Sequence, residues 1–159
     1  MKVKKKIKSK WHQDRLKDVF FNKAKKLGYR SRSAFKLLEI NKKFRILKKG
    51  QNALDIGASP GGWSQILSQK VFSSEKRNKI LSVDLKDFQP IDNVLNIKKD
   101  IYDDGFILLL KKYFSDGIDI IVSDAAPSTI GNKFVDHIKN VELCERSFEI
   151  AKTLLNKGG

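Results

Sequence analysis

Cysteine is nearly absent from this 159-residue chain, with Cys144 the only one. That excludes an internal disulfide and fits a reducing compartment. Histidine occurs only as His12 and His137, far apart in the chain, so no His/Cys set of metal-ligand spacing can be written. Cys144 itself falls in a helical pattern and is expected to be a packed thiol. Long apolar runs are missing too, since none approaches the ~18 residues that a membrane span requires. The opening MKVKKKIKSKW is basic with no apolar segment behind it, which excludes a secretory signal. Rich in Lys and without Arg or an amphipathic pattern, it fits a mitochondrial transit peptide poorly.

Acidic residues are scarce in one place only. The first fifty residues hold 3 Asp/Glu against 19 Lys/Arg, whereas the rest of the chain holds 15 against 14. The net charge of +15 therefore sits at one end. A Lys-rich composition would load both parts alike, so a confined patch reads as a footprint for a polyanion. Residues 1–12 carry no amphipathic stripe, which places nucleic acid ahead of a lipid surface.

What is present alternates between strand and helix patterns. Residues 1–12 are expected to be a flexible basic tail with Trp11 as its anchor. Leu16, Val19, Phe20, Ala24 and Leu27 fall at helical spacing and predict a helix over Asp14–Leu27, stopped by Gly28. Ser31 or Ser33 is expected to cap a second helix carrying Ala34, Phe35, Leu37, Leu38 and Ile40. Strands are expected at Asn52–Ile56, Ile80–Asp84, Val94–Ile97 and Ile118–Ser123. The intervening helices are expected at Gly62–Val71 and Tyr102–Phe114, with a last one from about Asp136 to Leu155. This alternation means a mostly parallel sheet with crossover helices on both faces, in one domain over residues 13–159. Gly158 and Gly159 look like a turn towards a further strand, so the sheet is expected to be incomplete at its carboxyl end.

The stretch ALDIGASPGGW, residues 53–63, reads as a strand entering a glycine turn that opens a helix. Two phosphate motifs fail on it. From Gly57 the third position is Ser59, so the dinucleotide pattern Gly-x-Gly-x-x-Gly is broken. Gly57 and Gly62 have Walker A separation, yet Trp63 stands where the phosphate-binding Lys is needed. What remains is a close backbone approach at Gly57, Gly61 and Gly62 for a ligand without phosphate. Asp84 closes the second strand and can accept two ribose hydroxyls. Asp100, after the third, is placed to receive an exocyclic amine. Adenosine matches this set, and S-adenosylmethionine is its commonest carrier. Asp124 ends the fourth strand before Pro127, so Asp55, Asp84, Asp100 and Asp124 are expected to face one crevice beyond the strand ends. A carboxylate at 124 can stabilise a sulfonium and orient an attacking hydroxyl.

Taken together, these segments resemble the FtsJ family of RNA 2′-O-ribose methyltransferases. The likeness runs through GYRSRSAFKLLEI (28–40), LDIGASPGGWS (54–64), VDL (83–85) and SDAAP (123–127), and continues through Asp136-His-Ile138. It is greatest to the bacterial member that methylates a uridine ribose of large-subunit ribosomal RNA. The resemblance implies a Rossmann-like fold and S-adenosylmethionine as methyl donor. It also implies a soluble cytoplasmic monomer acting on ribosomal RNA or the large subunit. Cofactor contacts map onto Gly57, Gly61, Trp63, Asp84, Asp100 and Asp124, with Trp63 acting through its backbone and packing.

The family's Lys-Asp-Lys-Glu tetrad maps its first two members onto Lys36 and Asp124. The positions of the second Lys and the Glu lie outside these 159 residues, which on their own are expected to turn over and fold poorly. For RNA, the expected footprint is Lys23, Lys25, Lys26, Arg30 and Arg32 around Lys36, with both arginines suited to forked phosphate contacts. His137 is expected to pack or cap near the substrate-side loop. A non-catalytic RNA-binding module on the same sheet is the alternative reading. A methyltransferase for small molecules is disfavoured by the basic segment, which a small substrate does not need.

Overall fold

The computed structural model describes residues 19–159. The tail expected over 1–12, with Trp11, lies outside the described residues, as does the start of the helix expected from Asp14. Helix α1, Val19–Lys26, buries only Ala24, and Gly28 at φ 72° turns the chain back. Helix α2, Ala34–Phe44, follows at once. Neither Ser31 nor Ser33 caps it as expected. Their hydroxyls bond each other at 2.7 Å, and the first amides of α2 reach the carbonyls of Ser31, Arg32 and Ser33 in three-residue turns.

Four parallel strands follow in the order β3-β2-β1-β4: β1 Ala53–Ile56, β2 Ile80–Asp84, β3 Leu95–Lys98 and β4 Ile120–Ser123. Helices α3 (Gly62–Val71), α4 (Phe106–Tyr113) and α5 (Lys133–Leu154) connect or follow them. This is the expected α/β doubly wound architecture. Alternation along β1 decides which layer each side chain meets. Ala53 joins Trp63, Ile66, Leu67, Ala34 and Leu37 on the face of α2 and α3. Leu54 and Ile56 join Phe106, Leu110 and Ile150 on the face of α4 and α5. Both faces are covered, which is why β1 and β2 read as continuous apolar runs.

Two boundaries move for visible reasons. The helix expected from Tyr102 starts at Phe106, because Gly105 at φ 80° ends an irregular turn over residues 101–105. The strand expected from Ile118 starts at Ile120, Ile118 making instead a single parallel bridge to Leu155 on the outer side of β4. Among the described residues no helix is long and apolar enough to cross a membrane.

Candidate active site

The carboxyl ends of the four strands open into one cleft of about 490 Å³. Its walls include Gly57 after β1, Asp84 at the end of β2, Asp100 after β3 and Asp124 after β4. The chain winds one way from β1 through β2 to β3, while β4 lies on the other side of β1. That reversal is where open α/β sheets bind ligands.

Each acid is held differently. Asp84 Oδ2 accepts from the Ser59 amide at 2.9 Å and Oδ1 from the Lys86 amide at 2.8 Å, so one carboxylate ties the glycine turn to the loop after β2. Each oxygen retains a second lone pair for a ligand hydroxyl. Asp100 Oδ1 accepts from the Tyr102 amide at 2.9 Å. Asp124 Oδ1 accepts from Lys36 Nζ at 2.8 Å across 88 residues of sequence, with Asp124 about one-third exposed and Lys36 about two-thirds. The two residues that the resemblance put in catalysis are thus in direct contact, and Asp124 is itself a wall of the cleft.

Asp55 does not join them. Its place on β1 has the parity of Ala53, so it points beneath the sheet towards α3 and is 1% exposed. Ser64 Oγ donates to Asp55 Oδ2 at 2.5 Å and lies 2.7 Å from Ser82 Oγ. Burial pushes the Asp55 carboxyl up to about 7, against the lowering effect of the bonds from the Ser64 side chain and backbone. Gly61 at the N-cap of α3 has no side chain to offer, so Asp55 serves the first turn of that helix from the strand below. The expectation that all four acids share the crevice is corrected to three.

The glycines serve packing as well as ligand approach. A Cβ on Gly57 would lie 2.3 Å from the Ala125 Cβ and 2.5 Å from its Cα, so glycine is needed for β1 and the loop after β4 to close together. On Gly62 a Cβ would meet Ser31 Oγ at 2.1 Å, so this glycine admits the α1–α2 turn against α3. Gly61, at φ 101°, faces the Arg30 side chain, Phe88 and Ile91. Trp63 is 8% exposed, and its indole N–H donates to the Ser33 carbonyl at 2.8 Å. Gly61 and Trp63 therefore lie behind the cleft wall, and Trp63 anchors the turn that leads to Lys36.

The basic footprint divides. Lys23, Lys25, Lys26, Arg32 and Lys36 are exposed on α1, the turn and α2. Arg30 is committed elsewhere: its guanidinium donates to the carbonyls of Gln89 and Pro90, and its amide donates to Gln65 Oε1 at 3.1 Å. His137 is exposed on α5, not packed, and Cys144 is exposed as well, against the packed thiol expected. Sequence reasoning missed the apolar walls Leu85, Ile101, Tyr102 and Leu143, together with Lys139 and Glu142 from α5. Tyr102 had an available signal in Gly105, which moves it from helix to turn.

A family model described as FtsJ-like methyltransferase matches residues 29–159. The chain belongs to the FtsJ-like methyltransferase family. A protein of Ehrlichia chaffeensis named ribosomal RNA large subunit methyltransferase E is 44% identical over 151 residues, covering 95% of this chain and 70% of the relative. One of the same name from Rickettsia bellii is 42% identical, covering 95% of this chain and 67% of the relative. In shape, the chain is similar to a crystal structure of a ribosomal RNA methyltransferase from Plasmodium falciparum. That match has a TM-score of 0.70 and 40% identity, over 80% of this chain and 73% of the other. The FtsJ-like chain described here thus spans about two-thirds of the length of those two named relatives.

Proposed function

We propose that this chain binds S-adenosylmethionine in the cleft and serves methyl transfer to a ribose 2′-hydroxyl of large-subunit ribosomal RNA. The observation that carries the reading is the Lys36–Asp124 contact at the edge of a cleft that also displays Asp84 and Asp100. The residues present fit the cofactor. The volume suits a nucleoside-sized ligand, Asp84 offers acceptors for a vicinal diol, and Leu85, Ile101, Tyr102 and Leu143 supply apolar surface for a base. No Lys follows the glycine turn, in keeping with a ligand that has no phosphate.

When bound, the cofactor supplies an electrophilic methyl carbon on a sulfonium. The work of the chain is positional and electrostatic. The anionic Asp124 favours a cation beside it and accepts from a hydroxyl brought to the cleft. Lys36 holds that carboxylate in place and offers N–H donors to the same hydroxyl oxygen, fixing its lone pair towards the carbon. Lys23, Lys25, Lys26 and Arg32 extend a cationic face from Lys36 along the path of an RNA backbone. Gly61 and Trp63 contribute by shape, holding the glycine turn and the Lys36 turn together. The ligand set calls for no metal, the acceptor is a ribosomal RNA or the large subunit, and the setting proposed is the cytoplasm, with the chain as a monomer.

The test is transfer of labelled methyl from S-adenosylmethionine to ribosomal RNA from a strain lacking the modification, followed by digestion to nucleosides. A labelled 2′-O-methyl nucleoside that depends on Asp124 is expected. Label on a base, or transfer unaffected by Asp124→Ala, would overturn the assignment.

A further inference from the structure

Three aromatic rings climb from the core to the surface of the α1–α2 hairpin. Tyr29 packs on the buried cluster beneath α2, and Phe35 meets it edge-on, with centroids 5.5 Å apart and an interplanar angle of 85°. Phe20 lies next, 5.9 Å from Phe35 at 56°. The Lys23 ammonium sits 5.2 Å from the Phe35 centroid. The outermost ring, Phe20, is 53% exposed, and its neighbours include Lys23, Lys25 and Lys26 on the same helix.

If pinning α1 onto α2 were the whole purpose, a leucine at 20 would do it and would expose no flat ring among ammonium groups. A ring held by two others is instead pre-ordered, so a planar ligand meets it at little cost in rotamer freedom. The surrounding charge selects the ligand. A planar, apolar-faced group on a polyanionic backbone is a nucleobase, and unpaired bases stack on aromatic side chains where duplex bases cannot. Phe35 directly precedes Lys36 on α2, so the step of rings continues the cationic face that begins at the Lys36–Asp124 pair.

We propose that the Phe20–Phe35 step is a stacking site for one unpaired base of the RNA, with Lys23, Lys25 and Lys26 neutralising the phosphates that flank it. The proposal rests on the RNA reading above and adds a single-strand requirement to it. Stacking and charge contacts have separable signatures, because lost phosphate contacts lower the salt dependence of binding and lost stacking does not.

The experiment measures binding of a labelled single-stranded oligoadenylate and of an RNA duplex of equal length, each over a salt series. The proteins are the wild type, Phe20→Leu, Phe20→Trp and Lys25→Ala/Lys26→Ala. Phe20→Leu keeps the apolar contact to Phe35, so its fold is checked by an unchanged unfolding midpoint. Expected are a loss of about 5- to 100-fold for the single strand with Phe20→Leu at unchanged salt slope, little change for duplex, and recovery with Phe20→Trp. The lysine pair should instead flatten the slope for both RNAs. Equal affinity of Phe20→Leu and wild type for the single strand overturns the stacking site while leaving RNA binding intact. A wild type that binds neither RNA removes the RNA reading and the site with it.

Discussion

Helix α1 buries one residue, Ala24, of its eight, whereas strand β1 buries all four of its own. The two regions are built by different physics. Around β1, both sheet faces are packed, glycines are dictated by backbone contact at Gly57, and a buried acid, Asp55, braces α3 from below. In the hairpin, side chains are charged and exposed, and attachment depends on few points: Tyr29 and Phe35, the Trp63–Ser33 bond, and Arg30 reaching to residues 89 and 90. The packed region is suited to hold a small ligand in fixed geometry. The charged region is suited to follow a long, adaptable one. Lys36 and Asp124 are where the two meet.

That contrast can be broken from either side. The largest expected effect is on chemistry: Asp124→Ala should lower methyl transfer by roughly 10³-fold. Cofactor affinity should change far less, as single-turnover rates beside equilibrium binding would show. In the packed region, Phe106→Ala empties a fully buried site and should cost about 3–5 kcal/mol in denaturant unfolding. An equivalent truncation at exposed Lys25 should stay within about 0.5 kcal/mol.

Asp55 gives the packed region a pH signature. Its folded pKa, about 7, lies above the model value of 3.8 because burial disfavours the charge. The folded form therefore binds its proton more tightly than the unfolded chain. The stability this contributes is whole below about pH 4 and is lost as pH rises to about 7. Asp55→Asn should remove that slope, gaining on the wild type by up to about 4 kcal/mol across the interval in unfolding measured against pH. A constant difference at every pH would mean that the carboxyl is not perturbed.

The smaller effects sharpen the boundary between the regions. Arg30→Ala frees the loop over residues 86–91, next to Asp84, and should weaken S-adenosylmethionine binding by roughly tenfold, the worth of about 1.4 kcal/mol. The salt slope for RNA should not move, because that guanidinium is already spent on carbonyls. Lys26→Ala should do the reverse, leaving cofactor affinity alone and lowering the slope by about 0.7 for single-stranded RNA. An Arg30→Ala variant with a flattened slope would return Arg30 to the RNA face.

Most of the packed region was legible from local pattern. The sequence reading placed α3 and β2 at their observed bounds, since apolar periodicity and glycine are local signals, and the failed phosphate motifs left a nucleoside cleft as the remaining reading. Asp55 could also have been read correctly, because strand parity places it with Ala53 rather than with the strand-end acids. The Arg30 bonds to residues 89 and 90 could not, being set by how two loops meet across about sixty residues. Lys36 shows the same limit. Nothing local separates it from its lysine neighbours, and only the family resemblance singled it out. Cys144 and His137 were misjudged because a helix of mixed polarity does not show from sequence which side faces the sheet.

The most direct measurement is calorimetric titration of S-adenosylmethionine into the wild type, Asp84→Ala, and a variant with Lys23, Lys25 and Lys26 all changed to alanine. The account expects binding by the wild type, binding of equal strength after the basic charges are removed, and loss of at least about tenfold with Asp84→Ala. Binding that ignores Asp84, or that falls with the lysines, would contradict the division of labour between cleft and hairpin.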